Sequence, residues 1–249
     1  MIPVTQMFLT NKVANSRKKL IKLKGITMHW TANTRKGANA LANRNFFNTF
    51  RPGNNTSAHY IVDDKSIIQC IKDDEVAYHV GAAKYTQTGN IIREGKTPNY
   101  FLIGIEMCVN EGGDWNKTYK NSVELTAELL KKYGLGIDNL YRHYDITGKD
   151  CPKMMIDKIA WEKFQTDVSI AAGFKKVDEK RLTVTLKRGM NNQNVKTLQQ
   201  LLNKHGYKII ADGDFGMITA GAVKDFQGSR GLIADGIVGP KTWDKLYGV

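Results

Sequence analysis

Two segments of the 249-residue chain alternate apolar and polar side chains, and this pattern constrains the fold more than any other feature of the sequence. In Gly25–Thr31 every second residue is apolar, and His29 lies on the other, polar side near the end of the segment. In Phe101–Val109 one carboxylate, Glu106, interrupts an otherwise uncharged run. A repeat of two is that of a β-strand, so both segments are predicted to be strands. A carboxylate in so apolar a strand is costly unless it is paired or functional.

Three segments with apolar residues at helical spacing are predicted to be helices. The second of them begins with a capping-box pattern from Asn121 to Glu124 and ends near Gly134, and the third is Ile156–Gly173. The first is Lys36–Phe50, whose apolar side comprises Ala38, Leu41, Ala42, Phe46 and Phe50.

Shorter strands and loops complete this part of the chain. Ser57–Val62 and Ser66–Ile71 are apolar runs joined by three charged residues, which is typical of a β-hairpin. Residues 83–100 are polar and aperiodic and are predicted to form one long loop, whereas Leu140–Tyr144 is predicted to be a short strand. Strands and helices together predict an α/β domain over residues 1–174, in which helices flank a mixed central β-sheet.

A charged stretch without an apolar stripe, residues 175–185, is predicted to be a linker to a second domain, residues 186–249. The second domain contains a sequence repeat. Asp212–Gly216 and Asp235–Gly239 both read D-G-x-x-G, and a Thr follows each of them three residues later. Asp and Gly suit such turns because Asp bonds back to the backbone and Gly accepts a positive φ. Helices are predicted around these turns, the first at Val195–Lys204, so this domain is expected to be a small bundle of three helices.

The chain is basic, with 37 Lys and Arg against 24 Asp and Glu and a net charge of +13. Residues up to 174 carry 24 basic and 17 acidic side chains, and the shorter remainder carries 13 and 7. This balance favours polyanions such as nucleic acid, anionic membranes or a cell wall with acidic polymers, although it can also serve solubility alone. No aromatic stripe interleaved with basic residues supports nucleic acid, and no apolar run is long enough to span a bilayer, so neither partner is expected.

The three cysteines show no spacing that predicts disulfides. Cys70 and Cys108 lie in apolar runs and are predicted to be buried thiols, whereas Cys151 has polar neighbours and a Pro after it. The N-terminus shows neither the basic start nor the long apolar run of a secretory signal. Synthesis in the cytoplasm, with release by another route, is therefore expected.

The densest group of reactive side chains is H-Y-D-I-T-G-K-D-C-P, His143 to Pro152. His143 and Cys151 are ligands that zinc takes readily, and a catalytic zinc keeps three protein ligands and one open position. His29 is the best third donor. The spacing alone leaves open a structural zinc, or no metal, because these ligands lie far apart in the sequence.

Residue types near this group fit metal-assisted amide hydrolysis. Zinc lowers the pKa of bound water and polarises carbonyls. Glu106 could act as a base toward that water and pass the proton to the leaving amine. Lys149 would lie beside the developing oxyanion, where a fixed positive charge counts most.

Five stretches, in chain order, resemble the type 2 N-acetylmuramoyl-L-alanine amidases: H-W-T-A-N, S-A-H-Y-I-V-D-D, A-Y-H-V-G, L-I-G-I-E-M-C and H-Y-D-I-T-G-K-D-C-P. The resemblance covers about residues 15–170 and implies a fold similar to that of the peptidoglycan recognition proteins. It also implies zinc ligation by His29, His143 and Cys151, with Lys149 two residues before the last ligand.

The resemblance assigns further roles. Family members carry the proton-handling group either as a Tyr just before the S-A-H-type His or as a Glu on the I-x-I-E strand. This chain has Ala58 at the first place and Glu106 at the second, so the role falls to Glu106. His79 matches a position that lines the substrate groove. Apart from the resemblance, the position of His59 in the first run of the hairpin suggests that it could line the same floor as His29.

Residues 186–249 resemble the type 1 peptidoglycan-binding domain through D-G-D-F-G, A-V-x-x-F-Q and D-G-I-V-G-P-K-T-W. Both resemblances imply one substrate, bacterial peptidoglycan, cut between the lactyl group of N-acetylmuramic acid and the L-alanine of the stem peptide. Without a signal peptide the combination is similar to a phage or prophage endolysin, and a bacterial autolysin exported by another route is the alternative. We expect a monomer.

Two other classes of protein compete with this interpretation. A zinc-free recognition module would bind wall fragments without cutting them, but it should lack ligands that this chain retains. A nucleic-acid binder is suggested by the net charge alone, and a salt-sensitive DNA shift would test it.

Overall fold

The computed structural model describes residues 2–50, 52, 55–174, 182 and 184–247. The chain divides into two compact units, Met1–Lys176 and Val177–Val249. Within the predicted linker only residues 182, 184 and 185 are described, so most of that prediction lies outside the described residues.

The described part of the first unit contains a six-stranded sheet with the order β1-β4-β3-β5-β2-β6. Neighbours β3 and β4 run antiparallel, as the predicted hairpin requires, and the other pairings are parallel. The predicted mixed sheet is thus confirmed, although β1 was not predicted. The strands are β1 (Val4–Gln6), β2 (Gly25–Trp30), β3 (Tyr60–Val62), β4 (Ile67–Gln69), β5 (Leu102–Met107) and β6 (Leu140–Arg142).

Helices cover both faces of the sheet. On one face, Ile26 and Met28 of β2 and Ile105 of β5 lie in a buried cluster with Leu129 and Phe164 from two helices. On the other face, a second cluster includes residues of the first helix together with the buried Cys70 and Cys108, whose predicted burial is confirmed. The helices of this unit are α1 (Ala40–Asn48), α2 (Gln87–Arg93), α3 (Trp115–Lys132), α4 (His143–Thr147) and α5 (Lys158–Ala171).

Helix α1 buries a different side from the predicted one. Leu41 and Phe46, which were predicted to face the core, are 43% and 42% exposed. The buried side includes Asn43, whose side-chain amide donates to the carbonyl oxygens of Ala38 and Asn39. A polar residue at the centre of the buried side broke the apolar pattern, so the prediction selected the wrong face. The residues buried on α1 are Ala40, Asn43 and Phe47.

Two predictions of helix boundaries are corrected. Residues 83–100 are not one loop, because α2 begins there after Thr86, whose hydroxyl accepts from the backbone N–H of Gly89. A Cβ at Gly89 would collide with the carbonyl of Ile146, so the close packing here requires a glycine. This glycine interrupts the apolar pattern by which a helix is recognised in the sequence. Helix α3 begins at Trp115, well before the predicted capping box, because Asp114 caps it by accepting from the N–H of Lys117.

The predicted strand Leu140–Tyr144 is only partly right, because β6 ends at Arg142 and α4 begins at His143. The Asp145 carboxylate accepts the backbone N–H of Arg142 at 2.8 Å and pairs with its guanidinium at 2.7 Å. This contact turns the chain from strand into helix. Gly148, at a φ of 79°, then ends α4 in the left-handed conformation.

The second unit contains three helices in its described residues, as predicted. Its core packs Leu198, Leu202, Phe215 and Phe226 around the fully buried Trp243. The helices are α6 (Gln193–Lys204), α7 (Met217–Ser229) and α8 (Pro240–Leu246).

Each D-G-x-x-G turn of the second unit is built around a buried glutamine. The Gln199 amide donates to Asp212 Oδ1 at 2.8 Å and to Thr219 Oγ1 at 3.0 Å, and its Oε1 accepts from the Gly213 N–H at 2.8 Å. Gln227 makes the same network at the second D-G-x-x-G turn, so the sequence repeat is also a repeat of hydrogen bonds. Its partners are Asp235, Thr242 and Gly236.

Candidate active site

The carboxyl ends of the parallel strands β2 and β5 place two predicted site residues side by side. His29 and Glu106 are partners in the register of these strands. The alternate residues of both strands pack into the core, which leaves His29 and Glu106 on the opposite face. Strand β6 pairs with the other edge of β2, and His143 follows directly at the start of α4.

A cavity of about 310 Å³ opens at this end of the sheet. Six of the seven predicted site residues and ligands line it: His29, His79, Glu106, His143, Lys149 and Cys151. The rest of its wall was not predicted, although the Phe-Phe pair in the first helix was a signal that one ring would lie outside the core. The added wall residues include Trp30, Thr31, Asn43, Phe46, Phe47 and Thr56.

His29, His143 and Cys151 form the one group of three potential metal ligands found in the described residues. Their donor atoms all lie within 4.8 Å of one another, and all three residues are buried. The His29 Nδ1 atom is 3.6 Å from the Cys151 sulfur. A tetrahedral zinc with bonds of about 2.0–2.3 Å needs its ligand atoms roughly 3.5 Å apart. The group could therefore hold a metal after small side-chain movements.

The protonation of this group also suits a metal. Burial lowers the pKa of His143 to about 4 and that of His29 well below its usual value, with a further contribution from neighbouring positive charge. Both rings are therefore neutral at physiological pH, the form that binds metals. Burial, reinforced by the charge of Glu106, raises the pKa of the Cys151 thiol to about 12. Metal binding must consequently release a proton from this thiol.

Glu106 is half-buried, and its Oε2 atom is enclosed without a hydrogen-bond partner. Burial raises the pKa of this carboxyl to about 8, while the nearby charge of Lys149 acts to lower it. Lys149 itself is exposed at the cavity rim. An unpaired carboxyl that titrates near neutral pH inside a cavity has the properties of a proton-transfer group.

His79 lies in the cavity wall and is 7% exposed. Its Nδ1 atom is 2.9 Å from His29 Nε2, and its Nε2 atom is 3.2 Å from the carbonyl oxygen of Leu102. Both ring nitrogens have protein partners. His79 therefore lies in the cavity lining and contacts His29 there, while its predicted place in a substrate groove stays a prediction.

The prediction that His59 lines the cavity is wrong. His59 is fully buried and lies outside the cavity lining. Its Nε2 atom bonds to the Glu75 carbonyl at 2.9 Å, and its Nδ1 atom accepts from the Gly104 N–H at 3.0 Å. Because it sits between neighbouring backbone segments, its polar atoms serve the fold.

Comparison with known proteins identifies the family of the chain. Residues 19–154 match the model of the N-acetylmuramoyl-L-alanine amidase family, and residues 191–246 match that of a peptidoglycan binding domain. The family is one of amide hydrolases. The chain belongs to the N-acetylmuramoyl-L-alanine amidase family, as its sequence motifs predicted.

Individual proteins show how far the similarity extends. The amidase CwlL of Bacillus licheniformis is 35% identical over all of this chain and 73% of its own length. The catalytic domain of XlyA, an amidase of Bacillus subtilis, superposes with a TM-score of 0.57 at 29% identity, over 67% of this chain and 99% of that domain. A structure described as a mutant endolysin from Bacillus subtilis gives 0.56 at 32% identity, over 68% and 99%. The predicted fold class of the first unit is confirmed.

Proposed function

We propose that this protein is a zinc-dependent N-acetylmuramoyl-L-alanine amidase that cleaves bacterial peptidoglycan between the lactyl group of N-acetylmuramic acid and the L-alanine of the stem peptide. One observation carries the proposal. The donor atoms of His29, His143 and Cys151 converge in a cavity that also holds the unpaired carboxyl of Glu106. Such a set leaves one position of a tetrahedral metal open, as catalytic zinc requires.

The ligands, Glu106 and Lys149 have separate roles in the proposed reaction. A zinc ion bound by the three ligands would supply a Lewis acid that acidifies water and polarises the scissile carbonyl. Glu106 takes a proton from the attacking water and delivers it to the leaving alanine amine, a task that its raised pKa near 8 suits. Lys149 places a positive charge at the rim, where the carbonyl oxygen gains negative charge.

The second unit supplies attachment to the wall rather than chemistry. Its match to a peptidoglycan binding domain supports this role, as does its net positive charge. We propose functional boundaries of 1–174 for the catalytic domain, 175–185 for the linker and 186–249 for the binding domain. Tethering an enzyme to an insoluble substrate raises the local substrate concentration.

We further propose that the protein is a phage or prophage endolysin. The similarity to a structure described as an endolysin supports this origin. An autolysin is the second candidate, because CwlL matches the whole of this chain and is described only as an amidase. Among the described residues, no helix has the length and apolarity needed to cross a bilayer.

Digestion of purified walls of known chemical type tests the reaction. We expect new N-terminal alanine amines to appear in step with wall clearing, and no new reducing sugar ends. New reducing ends would instead identify a glycosidase. Binding without any new ends would identify a zinc-free recognition module and reject the proposal.

A further inference from the structure

The proposed reaction leaves His79 unused, although this residue directly contacts one of the proposed ligands. We propose that His79 is a positioning residue that holds His29 in the tautomer and orientation in which His29 Nδ1 presents its lone pair to the metal. This inference rests on the proposed zinc site. It concerns how the site is prepared, and assigns no contact between His79 and either substrate or metal.

The hydrogen-bond chain determines where each proton lies. A carbonyl oxygen can only accept, so the proton shared with the Leu102 carbonyl belongs to His79 Nε2. A neutral imidazole carries one N–H, which leaves His79 Nδ1 as an acceptor. The proton between the two rings must then lie on His29 Nε2, 2.9 Å away. His29 Nδ1 is consequently bare, and it is this atom that faces the Cys151 sulfur.

The fold holds His79 in place from two further directions. The backbone N–H groups of His79 and Val80 both donate to Asn99 Oδ1, at 3.0 and 2.9 Å. On the sheet side, a Cβ at Gly104 would lie 2.6 Å from His79 Cγ and 2.7 Å from its Nδ1 atom. A glycine on β5 is therefore what allows the ring to pack against the strand. Partners of this kind, behind a metal-ligating histidine, typically affect metal affinity about 10–100-fold.

His59 provides a matched comparison, because it is a buried histidine next to His79 but outside the cavity lining. Its ring centre lies 5.8 Å from that of His79, and it is also buried with both nitrogens bonded. Its partners are backbone groups rather than a proposed ligand. Loss of His59 should therefore show the general cost of removing a buried histidine without the specific effect on His29.

The first test needs no substitution. Imidazole ¹⁵N spectra of the metal-free protein should show His29 protonated at Nε2 and bare at Nδ1. A proton on His29 Nδ1 would overturn the proposal, whatever the variants do. Because this measurement does not use the metal, it decides the point even if the wild-type protein binds no zinc, a result that would reject the proposed function separately.

The second test compares His79→Phe with His79→Asn. Phe keeps a ring but cannot accept a hydrogen bond, whereas the Asn Oδ1 atom can accept one from His29 Nε2–H in place of the lost Nδ1. Chelator competition should show that His79→Phe weakens zinc binding by about 10–100-fold and that His79→Asn recovers most of that loss. The matched variant His59→Phe should bind zinc as tightly as the wild-type protein.

Three results would contradict this expectation. Folded His79→Phe protein could bind zinc with wild-type affinity. The Asn and Phe variants could be equally impaired. His59→Phe could weaken zinc binding as much as His79→Phe, which would make the effect a general consequence of losing a buried ring.

Discussion

Both units bury polar side chains, but they satisfy them differently. In the second unit, Gln199 and Gln227 use both ends of their amides in networks that join a turn to the following helix. In the described first unit, four side-chain oxygens are enclosed without hydrogen-bond partners. Those of Glu106 and Thr31 line the cavity, and those of Thr27 and Glu75 lie outside it. No buried side-chain atom of the described second unit lacks a partner in this way.

Within the cavity, the unpaired atoms mark residues that await a ligand, whereas the fully bonded glutamines maintain the fold. A fully bonded polar network rigidifies a turn, whereas an unpaired buried polar group costs free energy and needs an explanation. At the end of the sheet, that explanation is chemistry. The comparison therefore predicts opposite effects of substitution: lost turnover with retained stability in the cavity, and lost stability with retained turnover at the glutamine turns.

The largest effect is expected from the proposed ligands. The wild-type protein should hold about one zinc per chain, and His29→Ala, His143→Ala or Cys151→Ser should each remove most of the zinc and reduce wall hydrolysis to near background. Metal content by mass spectrometry and activity should be measured on the same samples. A metal-free preparation with full activity would contradict the proposed mechanism.

Glu106→Gln should lower turnover by roughly a hundredfold or more, the usual scale for an acid–base group. Zinc content should stay near the wild-type value, because Glu106 is not in the ligand group. Stability should not fall, because the amide places no charge in the enclosed position of Oε2. A variant that is destabilised yet turns over normally would show that Glu106 serves only the fold.

Lys149→Met should also retain zinc and lower turnover by about a hundredfold, the scale of one lost oxyanion donor. Its side chain is exposed, so the melting temperature should change little. Lys149→Arg is the matched control, because it keeps the charge while changing the shape of the donor. If Met and Arg were equally active, the charge of Lys149 would have no role in the reaction.

Gln199→Leu and Gln227→Leu should produce the reverse outcome. Each would leave a buried glycine N–H without its acceptor, at a cost of about 1–3 kcal/mol. Calorimetry should show lower stability of the second unit, and hydrogen exchange should be faster at Gly213 or Gly236. Hydrolysis of soluble muropeptides per folded molecule should be unchanged, and lost turnover would break the comparison.

Much of the cavity was predictable because strand parity is a local property. Alternation alone assigned His29 to one face of β2 and Glu106 to one face of β5. The parallel register of the two strands then makes these residues neighbours on the same face of the sheet. The H-Y-D-I-T-G-K-D-C-P motif supplied two further donors, His143 and Cys151, within one short segment. These residues are close in space because their positions follow from the sheet and from one short motif.

Other features depend on contacts between distant segments, and sequence patterns do not encode these directly. The apolar side of α1 was misassigned because a buried Asn43 replaced an apolar residue. Helix α2 was missed because Gly89 allows close packing against Ile146 and weakens the helical pattern. His59 and His79 looked alike in sequence, and only their partners in the fold, Glu75 for one and His29 for the other, distinguish them.

A pH dependence of stability isolates the contribution of Glu106. Burial holds the pKa of its carboxyl near 8 in the folded protein, against about 4.3 when unfolded. Between these values the folded state binds a proton that the unfolded state has released, so this contribution to stability is complete below pH 4.3 and is lost as pH rises toward 8. Glu106→Gln has no such loss.

The stability difference between Glu106→Gln and wild type, both metal-free, should therefore grow from pH 5 to pH 8 and level off above it. The slope cannot exceed about 1.4 kcal/mol per pH unit for a single proton. Histidines with lowered pKa values, such as His143, stabilise in the opposite direction, since their contribution is lost as pH falls below their unfolded value. These histidines are common to both proteins, so their contributions cancel in the difference. Urea unfolding at each pH measures this difference in the free energy of unfolding. A difference that is independent of pH would show that the Glu106 carboxyl is already ionised in the folded cavity.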